Sequence, residues 1–152
     1  MRLHPVLRLC AAWLAAVLLA ATLGTLVQTQ VNLAALQALG AEIPLALRLR
    51  TSAQDLLGFG PGWAGVIAAG FLVALPTAAW LARRRPAWRG ALCALAGGVA
   101  VLVALLVMRQ VFALMPLSAA RGVGGMLALA LTAALGGALF AALTAPGRRR
   151  GG

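Results

Sequence analysis

The chain has 152 residues, of which 63% are hydrophobic and only 10% are charged. Soluble domains typically contain about 45–50% apolar and about 25% charged residues, and a soluble fold of this length could not hide so much apolar surface from water. The composition therefore excludes a water-soluble globular domain and predicts an integral membrane protein.

The net charge of +11 comes from thirteen basic residues, all of them arginine, set against two acids. These arginines occur in short clusters between apolar segments, without the aromatic interleaving or basic face that nucleic-acid binding requires. Arginines that flank membrane spans have a simpler explanation, so we expect no nucleic-acid partner. The lack of lysine in a chain rich in Ala, Leu, Gly and Arg is typical of GC-rich bacterial coding, which predicts a bacterial source.

The first predicted span covers residues 9–27, which include no charge. About 20 residues of helix are needed to cross a hydrocarbon core of about 30 Å. A signal peptide is the alternative, because Arg2 and Arg8 precede the segment. The uncharged stretch is longer than the usual apolar region of about 7–15 residues, however, and no clear cleavage site precedes a soluble domain. We therefore expect an uncleaved membrane anchor.

Residues 28–58 form the one long connection in the chain. Good helix formers over 28–37 predict that the first helix continues beyond the membrane, and Gly40 is expected to end it. The alternation of apolar and polar residues over 45–50 predicts a short strand or an extended segment at the membrane interface. Ser52 and Asp55 have the spacing of a capping box, which predicts one turn of helix before Gly58.

Three further spans are predicted at about 59–82, 90–113 and 122–145. The span at 90–113 is uncharged from Gly90 to Met108. Pro61 is well placed in the first turn of the second span. The connections 83–89 and 116–121 are short, which favours antiparallel neighbours. The predicted fold is thus an all-α membrane protein, a single domain over residues 1–152 with four transmembrane helices in an antiparallel bundle.

The distribution of arginines predicts the orientation, because cytoplasmic segments carry an excess of basic residues. With both termini in the cytoplasm, the inner segments hold nine arginines: Arg2, Arg8, Arg83, Arg84, Arg85, Arg89, Arg148, Arg149 and Arg150. The outer segments then hold four: Arg48, Arg50, Arg109 and Arg121. We expect a multi-pass protein of the bacterial inner membrane with residues 28–58 outside. Trp63, Trp80 and Trp88 are expected at headgroup depth.

Small residues recur at intervals of four along the last two predicted spans. Close packing of such residues drives helix association in lipid, so two helix faces are predicted as contact surfaces: Gly90, Ala94 and Gly98, and Gly124, Ala128, Thr132 and Gly136. Pro76 and the glycine pairs 97–98 and 136–137 are open to two interpretations. They fit either close packing with a tolerated kink or a hinge at a ligand pathway.

Reactive groups are scarce. The chain has one histidine, His4, two acids, Glu42 and Asp55, and two cysteines, Cys10 and Cys93. No nucleophile has an evident base, and no cluster of metal-ligand residues occurs, so we expect neither an enzyme nor a metal or cofactor site. No acid lies within a predicted span, which argues against a proton-coupled exporter.

The polar residues near the outer side give the most specific hypothesis. Arg109, followed by Gln110, lies late in the third predicted span and is predicted either to reach the headgroups or to pair with Asp55. The leading interpretation is a non-enzymatic membrane subunit, assembly factor or scaffold. The alternative is a transporter or channel component that acts as an oligomer. The expected partners are membrane lipids and another membrane protein or a second copy of the chain.

Overall fold

The computed structural model describes residues 5–111 and 122–145, and within these ranges all regular secondary structure is helical. The five α-helices are α1 (Pro5–Ala38), α2 (Leu45–Gly58), α3 (Gly60–Leu81), α4 (Arg89–Val111) and α5 (Val123–Leu143), and a short 3-10 helix (Pro86–Trp88) precedes α4. The predictions that concern His4, the 116–121 connection and the 148–152 tail fall outside the described residues.

Four of the described helices are long and apolar enough to cross a membrane: α1, α3, α5 and α4 together with its 3-10 turn. The prediction of a multi-pass, all-helical membrane protein is confirmed. The 34 residues of α1 extend about 51 Å, whereas the hydrocarbon core is about 30 Å thick. About two fifths of the length of α1 therefore exceeds what one crossing uses, and the helix continues through residues 28–37 as predicted.

Gly40 ends the first helix as predicted. Its φ of +91° lies in the left-handed region that only glycine adopts without cost. The Gly40 N–H donates to the Gln37 carbonyl at 3.0 Å, and the Ala41 N–H donates to the Leu36 carbonyl at 3.1 Å. These two bonds form a Schellman motif, which satisfies carbonyl groups at the helix end and turns the chain back.

The predicted strand at residues 45–50 is wrong, because these residues form the start of α2. The stretch contains only Leu, Ala and Arg, which are strong helix formers, and no β-branched residue. The predicted single turn at Ser52 is likewise too short, since α2 is already helical there. The true pattern is helical: Arg48, Ser52 and Asp55, spaced four and three residues apart, share the face that contacts α1.

The four long helices form a closed ring in the order α1, α5, α4, α3, each packed against its two neighbours. One face of helix α3 packs into the bundle. Its buried residues recur every three or four positions, as one helix face requires: Trp63, Ile67, Phe71, Leu75 and Ala78. Helix α5 is buried along much of its length between α1 and α4. Most exposed large side chains of the four long helices are leucine and valine, which suits contact with lipid.

Candidate functional site

The first candidate site is a helical hairpin formed by residues 28–38 of α1 and by α2, called here the outer hairpin. Arg48 donates to the side-chain oxygens of Gln30 at 2.7 Å and Gln37 at 2.9 Å. Gln30 in turn donates to the Ser52 hydroxyl at 3.3 Å. Residues late in α2 thus meet earlier residues of α1, so the two helices run antiparallel and side chains fix their register.

Asp55 anchors the base of the outer hairpin. The Thr29 hydroxyl oxygen lies 2.7 Å from Oδ2 of Asp55 and 2.9 Å from the Thr25 carbonyl oxygen, so its one proton has two acceptors within reach. Thr29 is buried and Asp55 is half-buried. Hydrogen bonds to charged groups are the stronger ones, and this bond ties the end of α2 to the point where α1 leaves the bundle.

The structure does not form the predicted pair between Asp55 and Arg109. Asp55 accepts from Thr29 instead, and no ion pair joins it to Arg109, although both residues are described. Arg109 and Gln110 are exposed in the last turn of α4. A basic residue at this position interacts favourably with the negative end of the helix dipole. The other prediction for Arg109, that it reaches the lipid headgroups, stays a prediction.

A buried polar cluster that the sequence did not predict lies directly below the outer hairpin. Trp63 is 2% exposed, so its predicted place at the lipid headgroups is wrong. Its indole packs against Gly24 so closely that a Cβ on Gly24 would overlap Nε1. Neither Trp63 Nε1 nor the buried Thr25 hydroxyl has a hydrogen-bond partner among the described residues. The four-residue spacing of Thr25 and Thr29 was the available signal.

The predicted small-residue faces are real contact surfaces in part. A Cβ on Gly98 would lie 3.2 Å from the Ala130 carbonyl oxygen, and one on Gly136 would lie 2.7 Å from the Ala16 carbonyl oxygen. Thr132 is buried and donates to the Leu129 carbonyl at 2.7 Å. Ala94 and Ala128 are half-buried. Gly90 and Gly124, by contrast, have no heavy atom within 4 Å of a built Cβ, so the faces do not extend to these ends of the helices.

The closest backbone approach in the bundle involves the other member of each glycine pair. A Cβ on Gly97 would lie 2.5 Å from the Ala133 carbonyl oxygen, and one on Gly137 would overlap the Cys93 carbonyl oxygen. These two glycines let α4 and α5 pack backbone against backbone. The glycine pairs therefore serve helix packing, the first of the two interpretations that the sequence allowed.

Pro76 lies inside α3, on its exposed side. Because proline has no N–H, it cannot satisfy the carbonyl one turn earlier. The neighbouring Thr77 donates its hydroxyl to the Val73 carbonyl at 2.7 Å. Pro76 also lines a cavity between α1 and α3, which is the second candidate site.

That cavity lies at the other end of the bundle, called here the arginine end, where α1 and α4 begin and α3 and α5 finish. Arg8 donates to the Leu143 and Ala145 carbonyls at 2.8 Å and 3.2 Å. Arg89 donates to the hydroxyl and carbonyl oxygens of Thr144 at 2.7 Å and 3.3 Å. The last carbonyls of a helix lack partners and carry negative partial charge, so two arginines from different helices cap α5.

Within residues 5–111 and 122–145, no three His, Cys, Asp or Glu side chains come together as metal ligands would. Glu42 is exposed, Cys10 is an exposed free thiol and Cys93 is a buried one. Trp80 and Trp88 are exposed at the arginine end, a position that suits their predicted depth.

No family model matches the chain, and neither the curated proteins nor the solved structures include a match.

Proposed function

We propose that this chain is a non-enzymatic subunit, assembly factor or scaffold of the bacterial inner membrane, and that its outer hairpin docks onto another membrane protein. The observation that carries the proposal is the combination of a fixed hairpin with an uncovered apolar surface. Four side-chain hydrogen bonds, made by Thr29, Gln30 and Gln37 of α1, hold α2 on α1. Such a projection has a definite shape and can present a defined surface.

The exposed leucines of α2 support a protein partner. Helix α2, which the structure describes in full, has no buried residue, and Leu49 and Leu57 are 63% and 82% exposed. Large apolar side chains that cluster outside a membrane mark interaction surfaces. These leucines are therefore the apolar groups that α2 offers to a partner.

The placement of the hairpin on the periplasmic side rests on the arginines. The α3–α4 connection holds Arg83, Arg84 and Arg85, and the opposite end of α3 leads into the hairpin. Basic residues resist translocation, so the arginine end is assigned to the cytoplasm together with both termini. The partner surface on the hairpin then faces the periplasm.

Affinity purification after mild solubilisation tests this proposal. We expect the wild-type chain to bring down one other membrane protein in stoichiometric amount. The double variant Leu49→Ala/Leu57→Ala should bind that partner about tenfold more weakly. Two leucine anchors at an interface together contribute well over 1 kcal/mol to the binding free energy. Alanine keeps the helix propensity of α2, so the hairpin itself should persist.

The matched control is Leu127→Ala/Leu131→Ala on α5, where both leucines are also exposed, by 58% and 63%, but lie within a membrane span. This variant should keep the partner. Recovery of a homo-oligomer alone would favour a transporter or channel component instead. Retention of the partner by the α2 variant would show that the hairpin leucines are not the docking surface.

A further inference from the structure

A groove at the arginine end combines an apolar wall with a basic mouth. Its volume is about 720 Å³, within the range of about 300–1,000 Å³ typical of ligand sites. Four apolar side chains from two helices form its long wall: Leu9 and Leu14 of α1, and Leu72 and Pro76 of α3.

The depth of the groove matches one leaflet of a membrane. Leu72 lies nine residues before Leu81, the last residue of α3, so the apolar wall runs about 14 Å along the helix. Half of a hydrocarbon core of about 30 Å has a similar depth. Trp80, which is 61% exposed, lies beside the mouth, where an amphipathic ring suits the headgroup region.

The mouth of the groove carries positive charge without a counterion from the described chain. Arg83 and Arg89 both line it, while Glu42 and Asp55 belong to the hairpin end. Arg83 is exposed, and its side chain has no hydrogen bond or ion pair with any described residue. Arg89 uses Nη2 to bind Thr144, so its orientation is fixed although its charge is not neutralised.

Two buried N–H donors of groove residues also lack acceptors. These are Nε of Arg89 and Nε1 of Trp13, and neither has a partner among the described residues. Buried donors are nearly always paired, because leaving one unpaired is costly. Both residues line the groove, so the unpaired donors and the unneutralised arginines belong to the same site.

We propose that this groove binds one anionic phospholipid, with an acyl chain along the wall of α1 and α3 and the phosphate between Arg83 and Arg89. Basic pockets between transmembrane helices recognise anionic headgroups in this way, and hydrogen bonds from guanidinium groups to phosphate are charge-assisted. A free phosphate ion would leave the apolar wall uncovered, and a zwitterionic lipid would leave the net charge of the mouth in place.

Native mass spectrometry of the delipidated, detergent-solubilised protein tests the proposal. The probes are phosphatidylglycerol and phosphatidylcholine with identical acyl chains. We expect one molecule of phosphatidylglycerol to be retained in preference to phosphatidylcholine. Arg83→Gln should weaken its retention about fivefold, the effect of one basic residue near a lipid surface. Because the Arg83 side chain has no partner among the described residues, the thermal stability of the lipid-free variant should stay unchanged.

Arg84→Gln is the matched control, since it removes the same charge from the neighbouring position. Arg84 lines a different cavity with Trp88 and Leu92, so this variant should retain phosphatidylglycerol as the wild type does. An equal loss of phosphatidylglycerol from both variants would show that general surface charge, and not the groove, retains the lipid. Equal retention of the two lipids, or displacement of phosphatidylglycerol by soluble glycerol phosphate, would also overturn the proposal.

Discussion

Gly137→Ala should destabilise the folded bundle by about 2 kcal/mol or more, as overpacking of a tight interface does. A Cβ at this position would overlap the carbonyl oxygen of Cys93 and lie 2.8 Å from its carbonyl carbon. It would also lie 3.2 Å from Cα of Ala94. All three are backbone atoms, which cannot rotate away as a side chain can. Helices α4 and α5 must therefore separate, and this loss exceeds the gain of up to about 1 kcal/mol in helix propensity.

Gly124→Ala on the same helix is the control. No heavy atom lies within 4 Å of a Cβ built at Gly124, so this variant should be neutral or more stable by up to about 1 kcal/mol. Reversible unfolding in mixed micelles, with an increasing fraction of denaturing detergent, measures both. Equal changes in the two variants would contradict the backbone packing of α4 against α5.

Phe71→Ala should lower the free energy of unfolding of the bundle by about 2–3 kcal/mol, because the ring occupies a notch between two glycines. A Cβ on Gly97 would lie 3.4 Å from one edge of the ring and a Cβ on Gly136 would lie 3.1 Å from the other edge. Phe71 itself is fully buried. In lipid the separated helices are already in an apolar solvent, so the cost is mainly the cavity, at about 24 cal/mol per Å³ over a volume on the order of 100 Å³.

The neighbouring Leu72 provides the control for this prediction. It is 65% exposed on the lipid-facing side of α3, so Leu72→Ala leaves no enclosed cavity and should change the stability by less than about 0.5 kcal/mol. The same unfolding assay applies. A loss for Leu72→Ala as large as that for Phe71→Ala would show that side-chain size, and not the glycine notch, governs the result.

Hydropathy was sufficient to predict the four spans, because the need for about 20 apolar residues per crossing is a strong constraint. The end of α1 could also be predicted, since Gly40 is the residue type that a Schellman motif requires. The 45–50 segment was predicted wrongly because a six-residue alternation is too short to distinguish a strand from a helix. The deciding pattern, Arg48 with Ser52 and Asp55, becomes visible only over the whole of α2.

The partners of individual side chains were less predictable. Small residues are so frequent in this chain that sequence spacing could not separate Gly98 and Gly136, which contact neighbouring helices, from Gly90 and Gly124, which do not. The bond between Asp55 and Thr29 depends on how far α2 folds back along α1. The capping of α5 by Arg8 and Arg89 joins residues more than 50 positions apart. Such pairings arise from tertiary structure and leave no local pattern.

We expect the outer hairpin and the arginine-rich α3–α4 connection to lie on opposite sides of the membrane. Labelling of single cysteines with a membrane-impermeant maleimide tests it, in a chain whose own Cys10 and Cys93 are replaced by serine. Ala53→Cys on α2 and Ala87→Cys beside Trp88 both place the thiol at an exposed position. We expect Ala53→Cys to react in right-side-out vesicles and Ala87→Cys only in inverted ones. Reaction of both thiols from the same side would contradict the account.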